Sequence, residues 1–147
     1  MSIQPQPLAA TPVAQDERTL AFLAHLLQIF SGFIGPLVIF CVKQDSKFVR
    51  FHSLQALIWQ ICFMVLTMVC VLGFAVGMIT TIANQPHGSH SAEPPVGFFV
   101  FFPLMWLVIM GGWVINLILA IVYGIKANHG EWAQYPIIGK WVLPKDA

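Results

Sequence analysis

The chain has 147 residues, of which 58% are hydrophobic and 9% charged, with a formal net charge of +1. Soluble domains carry about 25% charged residues, so there is too little charge here to coat a water-facing surface, and much of the apolar surface must face lipid. The balanced charge without a basic stripe excludes nucleic acid as a partner, because phosphate binding needs clustered Lys and Arg. Cys41, Cys62 and Cys70 lie in apolar runs without Cys-x-x-Cys or Cys/His spacing, so neither a disulfide framework nor a zinc site is supported.

Residues 1–15 carry Pro5, Pro7 and Pro12 among Gln, Ala and Thr. They have no apolar core and read as a disordered tail, not a signal peptide. From Thr19 to Val42 there is no Asp, Glu, Lys or Arg. Roughly 24 helical residues reach about 36 Å, enough for a hydrocarbon layer of ~30 Å, so residues 20–42 form the first expected span. Gly35-Pro36 interrupts it, because Pro36 removes one backbone hydrogen bond. The sequence is compatible with a kinked span or with a re-entrant helical hairpin shielded by other helices.

Lys43 to Arg50 concentrates charge at a membrane edge, with Asp45 or Ser46 placed to cap the next helix. Phe51 to Ala83 has no formal charge and is longer than one bilayer needs. Residues 46–60, with His52, Ser53, Gln55 and Gln60, are expected to be interfacial, and 61–83 to cross. Asn84 to Pro95 is turn chemistry. The third span is expected at 103–124, opening at Pro103. Trp132, Tyr135 and Trp141 place 131–143 in the headgroup layer, followed by a short tail at 144–147. The expected architecture is thus one all-α membrane domain over residues 16–143 with about three transmembrane helices.

Lys43, Lys47 and Arg50 fall in the first loop and Lys126, Lys140 and Lys145 near the C-terminus, while the second loop has no Lys or Arg. The positive-inside rule then makes the first loop and C-terminus cytoplasmic in a multi-pass membrane protein.

Polar residues inside membrane segments are the default place to look for function. On the first segment His25, Gln28, Gly32 and Gly35 share a helical face beside Pro36. His52 and Gln55 begin the second, which continues through Gly73-x-x-x-Gly77, and Gly112, Asn116, Ala120 and Gly124 follow at four-residue steps on the third. A proton or ligand relay through His25 is one reading; close helix packing with interhelical hydrogen bonds is the simpler one. His87, His90 and Glu93 lack a fourth ligand, and no nucleophile, paired carboxylate or phosphate loop is present. No catalytic, cofactor or metal site is therefore expected.

Ala24-His-Leu-Leu through Gly32-Phe-Ile-Gly-Pro36, then Lys43, Phe48-Val-Arg-Phe-His52 to Gln55-Ala-Leu, and later Lys126-Ala-Asn-His-Gly130-Glu-Trp with Tyr135-Pro136, form an ordered set of motifs. The set resembles a bacterial and archaeal family of small membrane proteins, domain of unknown function four-eight-seven-zero, grouped with the Tic-twenty-like proteins of the chloroplast inner envelope. The likeness runs from Asp16 to Trp141 except for the Asn84 to Pro95 loop. It implies a helical inner-membrane protein and, by distant analogy, a part in moving or inserting polypeptides. His25, Gly35, Pro36, Phe48, Arg50, His52, Gln55, Tyr135 and Pro136 match the pattern, and the resemblance implies structural work for them.

The functional expectation is a non-enzymatic protein acting through helix–helix contacts in the lipid bilayer, as a homo-oligomer or as an accessory subunit of a transport or translocation assembly. The alternative is a small channel or transporter assembled by oligomerisation around the His25 and His52 faces.

Overall fold

The computed structural model describes residues 12–84 and 96–142. Most of the expected N-terminal tail, the His87, His90 and Glu93 segment and the last five residues lie outside this range. The described residues form α1 (Gln15–Ser31), α2 (Ile34–Val42), α3 (Lys47–Ala83), α4 (Val96–Asn128) and α5 (Gly139–Val142), with no strand among them.

The first apolar segment does not cross as one helix. It breaks at Gly32, whose φ of 60° and ψ of −130° suit a residue without a Cβ. Ser31 Oγ donates to the Leu27 carbonyl (2.8 Å) and accepts from the Gly35 N–H (3.0 Å), which satisfies a donor freed by the break. The chain then turns back. Ile39 of α2 packs with Ala24 of α1 and Val49 of α3, with Leu20, Leu23 and Leu27 around them. Leu20 also shares a cavity with Val42 and Lys43, so the end of α2 returns to the beginning of α1. A Cβ on Gly35 would stand 2.5 Å from Leu27 Cβ, so only glycine permits this approach.

Of the two expected forms, the segment therefore takes the re-entrant hairpin. The break lies upstream of Gly35-Pro36, leaving Pro36 in the first turn of α2, where a missing N–H is tolerated. This corrects the expectation of three spans. Two helices, α3 and α4, are long and apolar enough to cross a membrane. At 17 and 9 residues, α1 and α2 reach only about 25 and 13 Å, short of a hydrocarbon layer of about 30 Å.

Ser46, rather than Asp45, caps α3, its Oγ accepting from the Val49 N–H at 3.2 Å. Asp45 instead pairs with Lys43 at 3.4 Å. The 37-residue α3 and the 33-residue α4 run antiparallel. Trp59 Nε1 donates to Asn116 Oδ1 (3.0 Å), Phe63 lies against Gly112, Phe101 against Gly77, and Thr81 against Gly97. Pro103 stands inside α4 rather than at its start, the helix beginning at Val96.

The hairpin of α3 and α4 has two unlike halves. The most apolar stretch of α3 has none of its residues buried in the molecule and that of α4 has 11%, so these apolar surfaces are open to their surroundings. At the other end, Phe48, Val49, Phe51, His52, Ser53, Gln55 and Ala56 are buried. There α1 inserts between α3 and α4: Ala21 packs with Phe48 and Ala127, and Phe22 and His25 lie against Gly124. Residues 129–142 close over this half.

Candidate functional site

The folded half encloses a polar core. His25, Gln28, His52, Ser53, Gln55 and Asn116 are each at most 3% exposed, as is Tyr135 from the C-terminal segment. An unpaired polar group is costly at this burial, which favours partners inside the chain.

Their hydrogen bonds form one directed series. His52 Nε2 lies 3.0 Å from the Glu131 carbonyl, His52 Nδ1 is 3.1 Å from His25 Nε2, and His25 Nδ1 is 2.9 Å from Tyr135 Oη. A carbonyl only accepts, so His52 Nε2 carries the proton and its Nδ1 is the acceptor. His25 Nε2 must then donate, which leaves His25 Nδ1 to accept from the Tyr135 hydroxyl. Gln28 Nε2 completes the series by donating to the Tyr135 oxygen at 3.3 Å. One backbone carbonyl thereby sets the tautomers of both imidazoles and the orientation of a hydroxyl. Burial raises the Tyr135 pKa above its ordinary value, partly opposed by the Gln28 bond, so the phenol stays a donor.

Gln55 binds the same segment in a second way. Its Oε1 accepts from the Tyr135 N–H at 2.7 Å and its Nε2 donates to the Ala133 carbonyl at 3.3 Å. A single side-chain amide thus satisfies both a backbone N–H and a backbone carbonyl two residues apart. The ring of Tyr135 rests against Tyr123 and Trp59, with centroids 4.5 and 5.9 Å away. Gln28 Oε1 and Gln60 Oε1 are buried without a partner among the described residues.

The structure separates the candidate positions read from the sequence into three groups. His25, Gln28, His52, Gln55 and Asn116 converge on the polar core, the first four through the C-terminal segment and Asn116 through Trp59. Gly35 and Pro36 build the re-entrant turn. Gly77 and Gly112 lie in the contact between α3 and α4, whereas Gly73 has nothing within 4 Å of where a Cβ would be.

Tyr135 was expected in the headgroup layer and is instead the centre of the core, buried to 1% exposure. The available signal was a shortage of partners. Two imidazoles and the amides of Gln28, Gln55, Gln60 and Asn116 stand on apolar segments that contain no acid, and the chain has only two tyrosines. The chemistry that results is positional: ring nitrogens and hydroxyl are bonded to one another, and none presents a free lone pair to a metal or substrate.

A family model described as the magnetosome magnetite crystal formation protein family matches residues 16–142. No curated protein and no solved structure matches the chain. The family match corrects the resemblance to the Tic-twenty-like group, since it accounts for the same stretch by a different family. Most of the residues that carried that resemblance hold the hairpin and the polar core, and such features report a fold rather than an activity.

Proposed function

The chain belongs to the magnetosome magnetite crystal formation protein family, and from that premise we propose that it serves crystal formation as a non-enzymatic membrane component acting through helix–helix contacts. One observation carries this reading. Every ring nitrogen and hydroxyl of the buried core is bonded within the chain, so the polar interior works as an internal lock. The apolar outer surface of α3 and α4 is open to other molecules, and Gly73 and Gly111 on it have nothing within 4 Å of where a Cβ would be. Small residues of this kind let a second helix approach closely in lipid, from another copy or from a different membrane protein.

A photoreactive probe replacing Leu107, which is 71% exposed on α4, tests the proposal in native membranes. A discrete homodimer or single heterologous adduct is expected, and adducts to lipid alone would overturn it. The competing channel reading requires His25 and His52 to line an aqueous path, whereas both are 0% exposed. Liposomes holding the wild type and His25→Ala should therefore leak ions equally slowly.

For location, Arg18, Lys43, Lys47, Arg50, Lys126 and Lys140, which lie on or next to the elements of the folded end, support a cytoplasmic base in the bacterial inner membrane or a membrane derived from it. On this reading α3 and α4 cross from that base.

A further inference from the structure

Two cavities, of about 260 and 370 Å³, lie end to end along the outer side of α3 and share Leu54 and Val142, which makes them one groove. Its mouth is cationic. Lys47 and Arg50, both exposed, stand there in the opening turns of α3, and the Arg50 guanidinium lies 5.6 Å from the centre of the Phe40 ring. The first turn of α3 contains no acidic residue. Basic groups therefore sit at the positive end of a long helix dipole, where an anion is favoured. Beyond Leu54 the groove turns apolar, lined by Ile58 and Cys62 of α3 and by Ile138 and Trp141 of the C-terminal segment.

We propose that this groove holds an anionic phospholipid, its phosphate at Lys47 and Arg50 and one acyl chain running along α3 towards Cys62. The gradient from charged mouth to apolar floor is that of a lipid in its own leaflet. Lys47 to Cys62 spans about 22 Å of helix, against about 15 Å for one leaflet's share of the hydrocarbon, so a chain starting at the mouth can follow the groove to the bilayer midplane. Trp141 and Ile137, 83% and 80% exposed beside it, are apolar side chains suited to the headgroup and upper acyl region. The proposal stands independently of whether the outer faces of α3 and α4 bind other helices.

The test uses the full chain reconstituted in nanodiscs of phosphatidylcholine with and without phosphatidylglycerol, followed by native mass spectrometry of the lipids retained in detergent. One phosphatidylglycerol per chain is expected, retained in preference to phosphatidylcholine. Arg50→Gln should weaken this retention about fivefold, the effect of one basic group at an anionic headgroup. Lys126→Gln removes the same charge away from the groove and should leave it unchanged. Leu54→Trp, which fills the junction of the two cavities, should expel both lipids. Equal retention of the two lipids by the wild type, or equal loss in Arg50→Gln and Lys126→Gln, would overturn the proposal. Arg50 is exposed, so the result does not depend on Leu54→Trp folding.

Discussion

Replacing Tyr135 by Phe removes one oxygen and leaves two groups stranded, His25 Nδ1 without its donor and Gln28 Nε2 without its acceptor. A buried polar group left unpaired costs about 1–3 kcal/mol, so Tyr135→Phe should lower the thermal unfolding midpoint in detergent, with helix content unchanged before the transition. Gln55→Ala acts on the same segment by freeing the Tyr135 N–H and the Ala133 carbonyl. It should destabilise at least as much, and it should also open residues 131–138 to protease, which Tyr135→Phe should do less. Equal stability of both variants and the wild type would mean that the core does not hold the C-terminal segment. That His25 and His52 needed partners was readable from their place on apolar segments. That the partner was a tyrosine more than 100 residues from His25 was not, because hydrogen-bond pairing over that distance leaves no local pattern.

At the scale of single elements, the glycines divide by what surrounds them. A Cβ on Gly112 would stand 2.6 Å from Phe63 Cε2, whereas one on Gly73 would meet nothing within 4 Å. Overpacking costs about 1–3 kcal/mol, so Gly112→Ala should weaken the contact between α3 and α4 while Gly73→Ala is neutral or slightly stabilising, as read from unfolding in detergent. Gly35→Ala should act more strongly, because the added methyl would collide with Ser31 Oγ and Leu27 Cβ inside the re-entrant turn. In a background with Cys41, Cys62 and Cys70 replaced by Ala, a cysteine pair at positions 20 and 42 should crosslink, and Gly35→Ala should reduce the yield. A continuous helix would set these ends more than 30 Å apart, at about 1.5 Å per residue, so the absence of any crosslink would restore a spanning segment. The Gly35-Pro36 pair announced a break, yet the same pair serves a kink equally well. What selects the hairpin is the packing of Ile39 against Ala24 and Val49.

For the molecule as a whole, the turn at Gly32 leaves two helices long and apolar enough to cross, an even number. The start of α1, the end of α2, the start of α3 and the end of α4 gather at one end, as the cavity shared by Leu20 and Lys43, the packing of Ala21 with Phe48 and Ala127, and the approach of Arg18 to Gly130 require. Reporters fused at the N- and C-termini should therefore give the same side of the membrane, and a tag between α3 and α4 the opposite side. Opposite signals from the two termini would mean an odd number of crossings and would overturn this topology. Composition alone pointed to a helical membrane protein, since hydropathy and charge are sums over neighbouring residues and need no knowledge of the fold. Tertiary structure alone decided that two helices and not three are long and apolar enough to cross, and that the histidines and glutamines of α1 and α3 clasp the C-terminal segment. Both outcomes depend on which distant surfaces meet, and a count of apolar residues along the chain is the same whether they meet or not.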